Sequence, residues 1–287
     1  MIDLIDLHTH STASDGSYSP RELITLALKR GISILALTDH DTIMGLEEAE
    51  NAAKEAGIGF IPGIELEISG ENAVTGEFHL LGLGITKPGP DFTNALADLY
   101  QRRKERNLEI LERMKEMNIT ANYNEIVAFS GGHSVGRPHF ASYLVKNRIA
   151  RNTEQAFDRY LGKGKPLYVP KEGLELEQAL SIIKGAGGIA VLAHPMSLYV
   201  SWGKLPDLIK SLADRGLQGI EAWHPTAKVQ ECKRLAELGK SLRLIVSAGS
   251  DFHGELRRDR KLGITSGSKK IDLSLLEAMP DFTELCY

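Results

Sequence analysis

The chain has 287 residues, with 34 Lys and Arg against 38 Asp and Glu, for a formal net charge of −4. Hydrophobic residues make up 42% and charged residues 25%, a globular balance that excludes a wholly disordered or collagen-like chain. The whole-chain charge argues against a general polyanion binder, the two cysteines (Cys232 and Cys286) give no disulfide framework or thiolate knuckle, and the apolar runs are too short to span a bilayer.

Short apolar runs ending in polar residues or glycine predict strands at 4–7, 34–38, 59–64, 78–84, 189–193, 219–223 and 244–247. Helical patterns fall between most of them. The first covers 20–30, with Ser19 as N-cap, Pro20 at the first position and Gly31 as the stop. Others cover 46–56, 174–186, 205–215 and 227–238, ending at Gly57, Gly187, Gly216 and Gly239. Buried parallel strands alternating with helices predict an α/β fold, a closed or nearly closed β/α barrel. An open doubly wound sheet is the runner-up, weakened because no glycine-rich phosphate loop follows a strand.

One stretch breaks the alternation. Residues 85–172 read as an all-helical insertion: a long helix over 91–117 with Leu96, Leu99, Tyr100, Ile110, Leu111, Met114 and Met117 on one side, then shorter helices at 122–129, 138–146 and 153–161. The expected organisation is a barrel from 1–84 and 173–287, with 85–172 as a substrate-binding cap. The insertion holds 15 basic and 10 acidic residues, so it carries +5 and the remainder −9.

Metal-binding residue types sit at the strand ends. His8 and His10, in Asp6-Leu7-His8-Thr9-His10, follow the first strand, and alternate residues of extended chain face the same side. Thr38-Asp39-His40-Asp41 follows the second strand, where Asp39 or Asp41 is also a candidate helix cap. Glu65 ends the third strand, with Glu67 two residues on. His79 opens the fourth run, where a lone histidine is more often core. His194 follows the fifth, and Ser250-Asp251-Phe252-His253 the seventh. Asp15, before Gly16, reads equally well as a turn residue. Imidazole and carboxylate without thiolate suit zinc, iron or manganese, and so many ligands imply two or three divalent ions.

Together these residues resemble the PHP (polymerase and histidinol phosphatase) superfamily. Its nine metal-binding positions are filled in order by His8, His10, Asp15, His40, Glu65, His79, His194, Asp251 and His253. The resemblance implies a distorted (β/α)7 barrel. It also implies one ion on His8, His10, Glu65 and Asp251, a second sharing Glu65 with His79 and His194, and a third on Asp15, His40 and His253. Gly136-Arg137-Pro138-His139-Phe140-Ala141 and Ile220-Glu221-Ala222-Trp223-His224-Pro225 are similar to motifs of the bacterial stand-alone phosphoesterases of that superfamily. Those include nucleoside 3',5'-bisphosphate phosphatases, 5'-nucleotidases and a 5'-to-3' oligoribonucleotide exonuclease.

The expected activity is therefore hydrolysis of a nucleotide phosphate monoester, with hydroxide bridging the ions as nucleophile. Arg137, before a proline-started helix, suits a phosphate, with a surface ion pair as its ordinary alternative. His139 is a further candidate for substrate binding, or a core or capping residue. His224 is a third, or part of a turn fixed by Pro225. His133 reads as loop. The run Arg102-Arg103-Lys104-Glu105-Arg106 reads as a solvated helix face. Histidinol phosphatase, another metallohydrolase class and a degenerate non-catalytic scaffold are the rival readings. A cytoplasmic location is expected, because residues 1–7 lack a basic leader, and a monomer with no membrane or stable protein partner is expected beside it. Three divalent ions would bring the net charge from −4 to about +2, which suits an anionic substrate.

Overall fold

Seven strands form one sheet in chain order: β1 (Leu4–Asp6), β2 (Ile32–Leu37), β3 (Gly59–Glu67), β4 (His79–Leu83), β5 (Ile189–Leu192), β6 (Gly219–Trp223) and β7 (Ile245–Ala248). The computed structural model describes residues 4–69, 74–129 and 135–279, so His133 and Cys286 lie outside the described residues. The segments that continue β1 and β7 bond to each other: Leu7 N donates to Ala248 O at 3.3 Å, Asp251 N to His8 O at 2.8 Å and His10 N to Phe252 O at 2.9 Å. These bonds join the two edges of the sheet, so the expected barrel is nearly closed. Helices α1 (Pro20–Lys29) and α2 (Leu46–Ala56) join the first strands. Helices α3 (Pro90–Glu116), α4 (Tyr123–Val127), α5 (Arg137–Lys146) and α6 (Thr153–Ala156) lie between β4 and β5, followed by α7 (Leu176–Gly185), α8 (Leu205–Asp214) and α9 (Val229–Ser241).

The local signals explain most boundaries. Ser19 Oγ accepts the Glu22 N–H at 3.2 Å while the Glu22 carboxylate accepts the Ser19 N–H at 2.8 Å, a reciprocal cap that starts α1. Gly57 ends α2 in the left-handed conformation, φ 68°. Leu23, Ile24 and Ala27 of α1 and Ala49, Ala52 and Ala53 of α2 bury one face against Leu35, Leu37 and Phe60. Alternate strand residues Leu81, Leu83, Ile189, Val191 and Ala193 pack with Leu7, Ala36 and Ile61, as period-two alternation requires.

Three expectations change. Not every strand is parallel: β1–β2, β2–β3, β5–β6 and β6–β7 are, but β4 is antiparallel to both β3 and β5. A parallel neighbour needs a crossover, usually a helix, and none is described between β3 and β4. Gly239 does not end α9, which runs on to Ser241. A Cβ there would lie 2.9 Å from Val246 Cγ2 and 3.2 Å from Ile220 Cδ1, so glycine permits close helix–sheet contact. Neither Asp39 nor Asp41 caps α2, whose N-cap is Gly45.

The chain divides into two compact units, Met1–Ala95 with Gly173–Tyr287, and Leu96–Glu172. The boundary falls inside α3, since Phe92 and Ala95 are buried in the first unit. The second unit has its own core, including Ile110, Met114, Ile126, Phe140, Leu144 and Leu161. Two members of the expected apolar stripe are not in a core: Tyr100 and Met117 are exposed. In the basic run, Arg106 is buried rather than solvated and donates to Asn107 Oδ1 at 3.1 Å. The expected segment begins at 85, whereas the second unit begins at Leu96.

Asp6, at the end of β1, ties the barrel rim together. It is fully buried and accepts backbone N–H groups of Gly263 at 2.7 Å, Ser250 at 2.9 Å and His8 at 3.4 Å. Burial pushes its carboxyl up to about 6 even against these donors. Asp6→Ala orphans all three donors and is expected to destabilise the protein by about 2 to 4 kcal/mol in urea unfolding. A variant as stable as the parent would show that water takes over the carboxylate's role.

Candidate metal centre

The reversed β4 brings its amino end to the rim where the other strands present their carboxyl ends. That is why His79 meets Glu65 although it opens its strand: Glu67 pairs with His79 in the β3–β4 register. His79 Nδ1 lies 2.8 Å from Glu65 Oε1, and His194 Nε2 lies 2.9 Å from the same oxygen. The two ring nitrogens are 3.3 Å apart. His79 Nε2 is held by Glu67 Oε2 at 3.0 Å.

A second group converges beside it. His8 Nε2 and His10 Nε2 are 3.1 Å apart. Each faces Glu65 Oε2, at 3.4 and 3.3 Å, and Asp251 Oδ1, at 3.4 and 3.1 Å. Ligands about 2.1 Å from a tetrahedrally held ion lie about 3.4 Å apart, so these four atoms have the spacing of a coordination shell. A third group is His10, Asp15, His40 and His253, with His253 Nε2 3.3 Å and His40 Nε2 3.9 Å from Asp15 Oδ1. All nine residues singled out from the sequence thus meet in one place.

The donor set fits divalent cations. Asp251 and Glu65 are buried and Asp15 nearly so, and stripping water from carboxylates is costly unless positive charge compensates. Glu65 Oε2 is a buried oxygen that accepts no hydrogen bond, although His40 Nδ1 is 3.0 Å away in a direction unsuited to one. Burial acts to lower the His8 and His79 imidazoles. The carboxylates beside them, Glu221 and Glu65 for His8 and Glu65 and Glu67 for His79, outweigh it and hold both up at about 10. Burial acts to raise Glu65 and Asp15, yet the surrounding imidazoles hold both well below the usual carboxylate range. Burial keeps His40, His194 and His253 low, as neutral ligands require, and keeps His224 low as well.

Residues behind these groups fix their orientation. Glu221 Oε1 takes the other ring nitrogen of His8 at 3.0 Å, and its Oε2 accepts the His194 N–H at 2.8 Å. Burial would raise Glu221, but His8 and His224 outweigh it and hold it at about 2. Asp39 accepts Ser11 N at 2.8 Å, Ser11 Oγ at 2.6 Å and Ser14 Oγ at 2.5 Å, bracing the His10–Asp15 loop. Asp41 Oδ1 accepts the Glu67 N–H at 3.0 Å. Ser197 Oγ contacts His194 Nδ1. Two ligand candidates are in the left-handed region, His194 at φ 30° and Asp251 at φ 50°. Such backbone costs about 1 to 3 kcal/mol for a residue with a side chain and persists only where the surroundings enforce it. At Gly249 a Cβ would come within 2.3 Å of His8 Cβ and 2.6 Å of Glu221 Oε1, so glycine lets this strand end approach the site.

The remaining candidates have other neighbours. His224 is buried, with Nε2 3.1 Å from Asp251 Oδ2 and Nδ1 2.7 Å from Thr226 Oγ1, so both ring nitrogens are engaged and it orients Asp251. His139 is buried in the helical unit and its Nδ1 accepts the Gly136 N–H at 2.8 Å, which fills the capping alternative. Arg137, half-buried at the start of α5, places its guanidinium 5.6 Å from the centre of the Tyr168 ring. Sequence reasoning gave no role to Glu221 or Arg260. A carboxylate inside the apolar run of β6 was a readable signal for the first. Arg260 is one of four basic residues in 257–261, and nothing in that run distinguishes it.

Among the described residues no helix is long and apolar enough to cross a membrane. A 5'-3' exoribonuclease of Haemophilus influenzae is 39% identical over 248 residues, covering 86% of this chain and 89% of the relative. A 3',5'-nucleoside bisphosphate phosphatase of Chromobacterium violaceum is 35% identical, covering 91% of each. A solved Bifidobacterium adolescentis structure, provisionally named a metal-dependent phosphoesterase, superposes with a TM-score of 0.83 at 26% identity, covering 95% of this chain and 94% of that one. Residues 6–176 match the PHP domain. The chain belongs to the PHP domain family, and with it to the metal-dependent phosphoesterases, a class of hydrolases.

Proposed function

We propose that this chain hydrolyses a phosphate monoester of a nucleotide, either the 5'-phosphate of AMP, a 3',5'-bisphosphate nucleotide or the 5'-end of a short RNA. The observation that carries the reading is the convergence of His8, His10, Glu65 and Asp251 with ligand atoms 3.1 to 3.4 Å apart. In the proposal two to three manganese, zinc or iron ions are held by the nine residues in the three groups above. Bound ions supply water of pKa near 7 and neutralise phosphoryl oxygens. The chain's own part is to hold and orient. Glu221 keeps His8 presenting Nε2 to the site, Glu67 fixes His79 through its Nε2, and Arg137 binds nucleotide phosphate, with the segment 85–172 as the substrate-binding part. His139 caps the helix that carries Arg137.

A substrate panel under manganese tests the reading: AMP, a 3',5'-bisphosphate nucleoside, short 5'-phosphorylated RNA and histidinol phosphate. Phosphate release from a nucleotide is expected, with two to three ions per chain by metal analysis. Turnover of histidinol phosphate alone would move the function to the small-amine rival. Processive release of mononucleotides from RNA favours the exoribonuclease reading, which the similarity to the Haemophilus influenzae enzyme supports. Arg137→Ala is expected to raise KM for nucleotides about tenfold and to leave p-nitrophenyl phosphate unchanged. An equal effect on both substrates removes Arg137 from recognition.

A further inference from the structure

The loop after His253 carries a buried cation that the nine-residue site does not use. Arg260 is 8% exposed. Its Nη1 contacts Asp251 Oδ2 and lies 3.5 Å from Asp251 O. Nε is buried with no hydrogen-bond partner, and the nearest acid, Asp259 Oδ2, is 3.8 Å away. Nη2 donates no hydrogen bond to a described residue. The charge of Arg260 is felt by Glu65, Glu221, Glu77 and Asp15, so it stands beside the metal-ligand cluster.

Nε is therefore spare in a place where desolvation makes an unpaired donor costly, and Nη2 makes no hydrogen bond among the described residues. Nε and Nη2 form one edge of the guanidinium. That edge offers two parallel N–H groups, the fork that matches two oxygens of a phosphate. The third nitrogen, Nη1, is already used to fix the group. Asp251 is divided the same way: Oδ2 is taken by Arg260 and His224, and Oδ1 faces His8 and His10. One ion pair thus ties the oxyanion donor to a metal-ligand candidate.

We propose that Arg260 is a phosphoryl-binding residue, its Nε–Nη2 edge receiving two oxygens of the phosphate that is hydrolysed. This rests on the phosphoesterase reading and adds a phosphate-binding group to the metal-ligand cluster. The ligand class is a tetrahedral oxyanion, phosphate or the phosphoryl group of a monoester. A donor already in place neutralises charge that develops on the phosphoryl oxygens without reorganising at the moment of reaction.

The test uses the full-length, manganese-loaded protein and inorganic phosphate as the probe. Arg260→Lys keeps a charge for Asp251 and removes the fork; Arg260→Ala removes both. In both variants calorimetric phosphate affinity is expected to fall at least about tenfold, and kcat/KM on the best nucleotide about 10² to 10³-fold. Metal content and melting temperature of Arg260→Lys are expected to stay at the parent values. Millimolar guanidinium is expected to restore part of the activity of Arg260→Ala. If Arg260→Ala does not fold, Arg260→Lys alone decides. Parent-like phosphate affinity in the folded variants overturns the proposal. So does a loss that merely tracks lost metal, because Arg260 then only steadies Asp251. A parent protein that binds phosphate but turns over no nucleotide refutes the nucleotide reading and leaves the phosphate result readable.

Discussion

Glu65→Ala is expected to lower phosphate release by at least about 10³-fold, because several kcal/mol of transition-state charge stabilisation depend on the groups it holds together. Glu65 is the hub of the site. Its Oε1 faces His79 and His194, and its Oε2 faces His8, His10 and His40. Removing it leaves two imidazoles that its charge helps to hold up at about 10, His8 and His79, with less compensation in a buried place. The metal-free variant should lose about 3 to 5 kcal/mol of stability, as when one partner of a buried pair is deleted. Glu65→Gln, of nearly the same shape, separates charge from packing. Metal analysis, phosphate release and urea unfolding on the three proteins decide the matter. A Glu65→Ala protein with parental metal content and turnover would place the reaction elsewhere.

Chelation has the second large expected effect. An ion present at a thousand times its dissociation constant stabilises the native state by about 4 kcal/mol for each independent site. For a chain of this size that corresponds to roughly 10 °C in melting temperature. EDTA followed by desalting should lower the melting temperature by at least that amount and abolish turnover, and added manganese should restore both. Ion-free protein that melts and turns over like the parent would sink the metal assignment.

Much of the site was legible because its residue types break the local pattern. Polar, ligating side chains abruptly follow apolar runs at His8, His40, Glu65, His194 and Asp251, where a strand could have ended in any loop residue. The two-residue spacing of His8 and His10 does what extended geometry requires, and their Nε2 atoms meet at 3.1 Å. The same two-residue spacing recurs at Asp251 and His253, but there the backbone is not extended. Asp251 turns left-handed at φ 50°, so its Oδ1 joins His8 and His10 while His253 Nε2 reaches Asp15. Spacing predicts a shared side only while the backbone stays extended.

The sequence by itself determined the alternation of strands and helices, the presence of helices rather than strands within 85–172, and the chemical kind of the site, since these follow from local periodicity and residue type. The tertiary structure decided how the ligands are grouped and what stands behind them. His79 belongs to the site only because β4 runs antiparallel. Glu221 reaches His8 across 213 residues of chain, and Asp6 reaches Ser250 across 244. Contacts of that kind are set by barrel closure and strand register, which no window of local sequence encodes. The same holds for Arg260, one of several basic residues in a charged run until the fold buries it against Asp251 and leaves its Nε without a partner.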